Sequence, residues 1–311
     1  MKGMRILVFG AGVLGGNLAT NLFRSHKDVT LLARGVWGDH IQQNGLAIHH
    51  YFGKKTVSKI PVVSSLAPDD CYDVIFAVVR YSQLDSIVPV LRENASKNIV
   101  FVGNNLHPEE LATKLPEKNV LFAFASSAGH RESDHIESID IRKITIGQLK
   151  GSPSNEQLIH AIFDGTKYRV TYEPNMGDWL LCHAASVLPI AFACYHTHGD
   201  LRKIKSDKAY LNRVMDATIA AYRVLERNGH EILPKSDQGY EKPGFKRLYL
   251  PFYRLICATR LGKLCTSDHA MNAIDEMSAM NRDFKQVLRR YGEIPGAWTS
   301  LERDTNGYLE P

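Results

Sequence analysis

Gly10, Gly12 and Gly15 stand in "GAGVLG", a GxGxxG spacing. The turn follows the apolar run "MRILVFG" and opens the helix-forming stretch "GNLATNLFRSH". In that context each glycine has a task. The first permits a tight turn, the second lets the backbone approach a pyrophosphate, and the third lets the helix pack closely. Val13 and Leu14 fall at the helix N-terminus, whose free N–H groups suit phosphate oxygens. About twenty residues after such a turn, readers of NAD carry Asp or Glu for the ribose hydroxyls. Here "VTLLARG" carries Arg34. A guanidinium at that place fits a 2′-phosphate through paired, charge-assisted hydrogen bonds. The expected cofactor is NADP(H). The alternative is a solvent-facing arginine, with specificity set elsewhere.

A strand and a helix must hold each of these residues. "MRILVFG", "DVTLLAR", "YDVIFAVV" and "NIVFVGN" are short β-rich runs that end in polar loops. "SQLDSIVPVLREN" between two of them reads as a helix. This alternation predicts βαβ units and a doubly wound parallel sheet, a Rossmann arrangement. "KITIGQL" and "YRVTYEP" are expected to add further strands. After Pro174 the patterns turn helical. "AYLNRVMDATIAAYRVLERNGHEILP" carries Leu211, Val214, Met215, Thr218, Tyr222 and Leu225 on one stripe. "TSDHAMNAIDEMSAMNRDFKQVLRRYG" reads as one long helix, capped by Thr266 or Ser267 and stopped by Gly292. The fold class is α/β, with an all-α C-terminal domain. The expected domains are 1–174, binding NADP, and 175–311, a helical substrate or dimerisation domain.

The chain has 311 residues, 44% hydrophobic and 23% charged, with a net charge of +5. That composition is ordinary for a water-soluble protein. It has no RNP-like aromatic motif, zinc-finger spacing or long basic tract, so nucleic acid is not an expected partner. No continuous apolar run of about 20 residues is read, so no membrane partner is expected. The N-terminus moves straight into a strand pattern, and the expected location is the cytoplasm. Cys71, Cys182, Cys194, Cys257 and Cys265 form no CxxC pair, which suits reduced thiols.

The opening "RILVFGAGVLGGNLATNL…DVTLLARG", the later "NGLAI", the "VVRYSQ" loop and the helical second half resemble the ketopantoate reductase (2-dehydropantoate 2-reductase) family. That resemblance spans nearly the whole chain. It implies a Rossmann domain followed by a helical domain, NADPH, reduction of ketopantoate on the route to pantothenate, and an active site in the cleft between the domains. It places Val79-Arg80-Tyr81-Ser82-Gln83 at the family's Val-Lys-Ala-aromatic-Gln loop, with lysine become Arg80. Gly103-Asn104-Asn105 falls at the Gln-Asn-Gly turn. "EMSAMNR" retains Glu276 and Asn281 of the family's helix, and Asp268 falls where the family has an acid. Glu276 is the implied cofactor-side carboxylate, and it also counts among the catalytic candidates. Arg80, Gln83 and Asn104 join Gly10, Gly12, Val13, Leu14, Gly15 and Arg34 as cofactor-binding candidates.

The departure from the family lies in "GDWLLCHAASVLPIAFACYHTHGDL". Its catalytic lysine position holds Leu180 or Leu181. The family's polar amides on this face become Ala184 or Ala185, and Leu188 or Pro189. A family serine is Leu264 here, and "HGDL" sets His198 at a substrate-contacting asparagine. Reduction of a ketone leaves an alkoxide that needs a proton from an acid within hydrogen-bond reach. His183 and His198 are the candidates. Arg80 suits a carboxylate or developing charge but is a poor donor. The expected partner is a small carbonyl substrate, and the apolar helical half is compatible with a homodimer. Two alternatives stay open: a reductase of a more apolar substrate, and a non-catalytic NADP(H)-binding sensor or interaction protein. No metal site is expected. "HTHGD", with His196, His198 and Asp200, lacks a specific ligand set. His49 and His50 read as a solvated strand or loop, "GKKTVSK" as a charged turn, and Met271, Met277 and Met280 as packing.

Overall fold

The computed structural model describes residues 3–51 and 53–309. The chain divides into two compact units, Met1–Gly177 and Asp178–Pro311.

The first unit is built on one sheet of ten described strands. They are β1 Arg5–Phe9, β2 Asp28–Leu32, β3 Leu46–His50, β4 Lys55–Ser58, β5 Val62–Val63, β6 Val74–Ala77, β7 Asn98–Val102, β8 Asn119–Arg131, β9 Ile136–Gly147 and β10 Arg169–Glu173. The order is β4-β3-β9-β8-β7-β6-β1-β2-β5, with β10 also on β9. From β5 through β8 every pairing is parallel. In chain order these six strands run 3-2-1-4-5-6, the dinucleotide-binding order that reverses beside the first strand. Beyond β8 the sheet is mixed: β9 runs antiparallel to β8, and β4 antiparallel to β3. Helices α1 Val13–Arg24, α2 Gly35–Asn44, α3 Leu84–Glu93, α4 Pro108–Thr113 and α5 Glu156–Phe163 complete the unit. Ile6, Val8, Val74, Phe76 and Val100 of the strands are fully buried, as are Leu18 and Leu22 of α1. Each large side chain so buried contributes about 1.5–3 kcal/mol.

Two expectations for this unit change. "GKKTVSK" turns only at Gly53 and Lys54, because Lys55–Ser58 forms β4. It lies at the end of the sheet order, and lysines on a sheet's edge deter pairing with other chains. His49 and His50 end β3 and are half-buried, each with a defined neighbour.

The second unit is helical throughout its described residues. It holds α6 Met176–His196, α7 Lys208–Arg227, α8 Phe245–Ala258, a short α9 Arg260–Gly262, α10 Asp268–Asn272, α11 Ile274–Arg290 and α12 Gly296–Glu302. The single helix expected over 266–291 is broken. Ser267 lies inside a helical turn rather than capping one, and Ala273 leaves helical geometry at φ −132°. Asp275 and Glu276 then occupy the first turn of α11, where the helix dipole favours carboxylates. Trp298 of α12 packs on Phe192 of α6 and Phe284 of α11, and all three are fully buried.

α6 also corrects the expectation about apolar runs. At 21 residues and a mean hydropathy of 1.4 it is long and apolar enough to cross a bilayer. Yet 72% of that window is buried within the fold, as in the central helix of a helical domain.

Candidate functional site

The glycine turn lies where the strand order reverses, between β1 and β6. Gly10 leaves β1 at φ +118°, and a Cβ there would stand 2.1 Å from the Val78 carbonyl oxygen. Gly15 is closed off in the same way, 1.9 Å from the Gly10 carbonyl oxygen. These two positions need glycine for the fold itself. Gly12 does not. Its φ is −80°, and a Cβ on it would meet nothing within 4 Å. That space lies at the start of α1, whose first turn holds no acid and no side-chain cap. The first N–H groups of a helix lack partners within it. With the dipole they make a seat for an anion. The residues present therefore fit a pyrophosphate: two glycines shape the turn, and the third leaves room at the donors.

Arg34 follows β2 and is the N-cap of α2, exposed, with no hydrogen bond or ion pair on its guanidinium among the described residues. Sequence reasoning missed what holds it in place. Trp37, three residues on, is buried and donates its indole N–H to the Ala11 carbonyl at 2.8 Å. This bond ties the first turn of α2, whose N-cap is Arg34, to the glycine turn. A tryptophan in the polar stretch "RGVWGDH" was the available signal. The Arg131 guanidinium lies 5.5 Å from the centre of the Trp37 ring.

Arg80 follows β6. Its backbone N–H donates to the Gln83 side-chain oxygen at 3.2 Å, so Gln83 braces the loop that carries Arg80. Asn104 follows β7 and Gly103, which has φ +128°. The next residue, Asn105, is buried and accepts the His107 N–H at 2.9 Å. The first unit thus brings Gly10, Gly12, Arg34, Arg80 and Asn104 to the carboxyl ends of neighbouring parallel strands. Open α/β sheets bind their ligands there.

The candidates of the second unit do not share one place. His183 and His198 are 15 positions apart along and just beyond α6, roughly 22 Å at 1.5 Å per residue. Leu180 and Leu181 are buried near its start. His198 caps its far end at φ +52°. It is exposed, with Nδ1 3.3 Å from the Tyr308 hydroxyl and Nε2 3.4 Å from the Asn306 amide. His198 therefore cannot stand in for a group carried at Leu180 or Leu181. Glu276 is 8% exposed in the first turn of α11. Asn281 is taken up internally: its amide donates to Glu302 at 2.5 Å, and its oxygen accepts the Trp298 indole N–H at 3.2 Å. Lys285 donates to the same Glu302 at 2.7 Å, so this cluster braces α11 on α12. An array that the sequence did not suggest joins Asp178, His230 and Tyr291. The His230 nitrogens lie 2.6 Å from Asp178 and 2.7 Å from the Tyr291 hydroxyl.

His183 stacks on Trp179, with ring centres 5.2 Å apart. Burial, with His269 adding like charge, pushes its pKa from 6.5 down to about 4. It is neutral at pH 7, so it carries no imidazolium proton to give. The unfolded chain takes up that proton near pH 6.5, whereas the folded chain resists until about 4. Stability is therefore fully present above pH 6.5 and is lost as the pH falls toward 4. Part of the residue is accessible, so the swing is at most about 3 kcal/mol. Denaturant unfolding at pH 7 and pH 4.5 should show His183→Gln losing less stability than the natural chain; equal losses would refute the assignment.

The strand order and the glycine turn define a dinucleotide-binding Rossmann unit. Residues 6–151 match the model of the family described as ketopantoate reductase PanE/ApbA. Among curated proteins, an uncharacterized oxidoreductase, YkpB, of Bacillus subtilis (strain 168) is 25% identical over 173 residues, 54% of this chain and 56% of that protein. A 2-dehydropantoate 2-reductase of Mesorhizobium japonicum is 32% identical over 98 residues, 30% of each chain. The chain thus spans about half the length of the first and under a third of the second. Among solved structures, 2-dehydropantoate 2-reductase from Geobacter metallireducens GS-15 aligns over 97% of this chain and 99% of its own, with TM-score 0.78 and 15% identity. D-mandelate dehydrogenase with NADH and anilino(oxo)acetate aligns over 98% of both chains, with TM-score 0.78 and 14% identity. A dimeric ketopantoate reductase from Staphylococcus aureus aligns over 98% of both, with TM-score 0.70 and 15% identity. At these identities the likeness shows a shared fold.

Proposed function

We propose that the chain is an NADPH-dependent oxidoreductase acting on a small 2-oxo acid or related carbonyl compound. The observation that carries this reading is the pairing of open space at Gly12 with the uncommitted guanidinium of Arg34, both at the carboxyl ends of the parallel strands. Bound NADPH would supply a hydride to the carbonyl carbon, and the alkoxide so formed would take its proton from solvent water. Gly10, Gly12, Val13, Leu14 and Gly15 seat the pyrophosphate, and Arg34 takes the 2′-phosphate. Arg80, braced by Gln83, adds positive charge beside them, and Asn104 offers an amide. Glu276 is the carboxylate that the family resemblance sets on the cofactor side.

Dehydropantoate is a 2-oxo acid and mandelate a 2-hydroxy acid, so the substrates named for the relatives differ mainly in what flanks that group. Leu180 and Leu181 favour a flanking group less polar than that of ketopantoate. α8 exposes Leu248, Phe252 and Leu255 on one stripe, at 74%, 54% and 59%. With the dimeric Staphylococcus aureus relative, that stripe supports a homodimer. A second reading, an NADP(H)-binding sensor without turnover, is favoured by the same leucines where the family has its lysine.

The deciding experiment follows NADPH and NADH oxidation with ketopantoate and with phenylglyoxylate, alongside binding of each nucleotide alone. Turnover with NADPH on either acid supports the reductase, and phenylglyoxylate is expected to be the better substrate. Tight NADPH binding without turnover on a wide carbonyl panel would replace it with the sensor.

A further inference from the structure

Outside the nucleotide seat, three ligand-type side chains converge where β3 meets β9. His49 on β3 is paired directly with Glu137 on β9. Partners on neighbouring strands project to the same face. His135, the residue before β9 and two positions before Glu137, lies beside them, its ring stacked on that of His49. The Glu137 Oε1 lies 3.5 Å from His49 Nδ1 and 3.5 Å from His135 Nε2. One ligand atom from each of the three residues lies within 4.8 Å of the others. The two imidazoles stack with centres 3.7 Å apart.

The protons make this arrangement informative. Asp134 Oδ1 stands 2.6 Å from His135 Nδ1. An ionised carboxylate only accepts, so His135 Nδ1 carries the hydrogen. Nε2 is then the ring atom that faces the Glu137 carboxylate. Neither imidazole closes a hydrogen bond to Glu137 among the described contacts. Two imidazole nitrogens and a carboxylate oxygen thus converge on one place. Ligands about 2.1 Å from a tetrahedral ion stand roughly 3.4 Å apart, close to the 3.5 Å between Glu137 and each imidazole. A carboxylate on the far nitrogen of a ligating histidine is also the usual support of a zinc-bound imidazole.

We propose that His49, His135 and Glu137 bind one divalent transition-metal ion of the zinc class, with water completing the shell. Asp134 is a positioning residue that sets the tautomer of His135. Two imidazoles, a carboxylate and a water suit zinc or cobalt rather than calcium or magnesium. The ion clips β3, and through it the β3–β4 pair, onto β9. The site shares no residue with the nucleotide seat, and its assignment does not depend on the reductase reading.

The test uses the full-length, untagged protein stripped with a chelator. Cobalt(II) is followed by its visible absorption and zinc chloride by calorimetry and thermal unfolding. One equivalent is expected to bind, with zinc raising the melting temperature. His135→Ala and Glu137→Gln should each abolish both effects. Asp134→Asn should weaken binding about 10- to 100-fold, as loss of such a support does. His50→Ala, whose ring bonds Thr56 instead, should change neither. Circular dichroism of each variant checks that it is folded. No bound metal at stoichiometric protein, or binding that survives both His135→Ala and Glu137→Gln, would overturn the site.

Discussion

Arg34→Ala is expected to weaken NADPH binding by about 10- to 100-fold and to leave NADH binding unchanged. The magnitude follows from losing hydrogen bonds to a charged group, about 1.5–3 kcal/mol in total. The selectivity follows from place. Arg34 caps α2, and the Trp37–Ala11 bond fixes that helix end against the glycine turn. No described residue neutralises the guanidinium, so a 2′-phosphate need displace no existing ion pair. Arg34→Lys keeps the charge but loses the planar fork, and should fall between the two. Arg34→Glu supplies acceptors for ribose hydroxyls and repels a phosphate, so it should invert the preference. The site is exposed, so the natural chain's preference should shrink with added salt. Fluorescence titration of both nucleotides across these variants reads all of this. Equal loss of NADPH and NADH affinity would show a structural role for Arg34. A natural chain that favours NADH would end the NADP assignment.

The first unit was legible wherever a local pattern carries the information. Short apolar runs ending in polar loops marked β1, β2, β6 and β7, and the glycine spacing marked the turn between β1 and α1. What escaped depends on pairing or on exceptions to propensity. β4 was hidden because a charged edge strand carries the same lysines as a turn. The break at Ala273 carries no warning, since alanine is the strongest helix former. α6 escaped as a long apolar helix because His183 and Ser186 interrupt its run while Ala, Leu and Cys keep its average high. The separation of His183 from His198 becomes plain only once α6 is seen to hold His183 near its start and to end before His198. The convergence of His49 with His135 and Glu137 is further out of reach: more than eighty positions of chain separate them, and only the β3–β9 register brings them together. Conversely, the family resemblance pointed to Asn281, which the structure shows committed to bracing α12. A position shared with a family does not tell whether its side chain is spent on the fold or on a ligand.

The glycines of the turn allow that distinction to be tested directly. Gly12→Ala should fold like the natural chain. Its φ is ordinary and its Cβ reaches open space, so nothing in the fold opposes the methyl group. Two small terms oppose each other. Alanine caps a helix less well than glycine, while the lost freedom of the unfolded chain favours it by about 0.4–1 kcal/mol. The melting temperature should therefore stay nearly constant. Nucleotide binding should not. The methyl group fills the space left above the first N–H groups of α1, where the pyrophosphate is proposed to rest. NADPH and NADH should both weaken, about tenfold or more if the overlap costs 1–3 kcal/mol. Gly10→Ala should do the reverse of sparing the fold. Its φ of +118° and the Val78 oxygen 2.1 Å from the new Cβ force backbone to move. Strain and overlap together cost roughly 2–5 kcal/mol. Thermal unfolding and nucleotide titration on the two variants give a crossed result: stability lost at Gly10, binding lost at Gly12. A Gly12→Ala protein that binds NADPH as tightly as the natural chain would show that the open space is not the pyrophosphate's. Arg34 would then have to be read as a surface arginine, because a 2′-phosphate reaches it only when the turn holds the rest of the nucleotide.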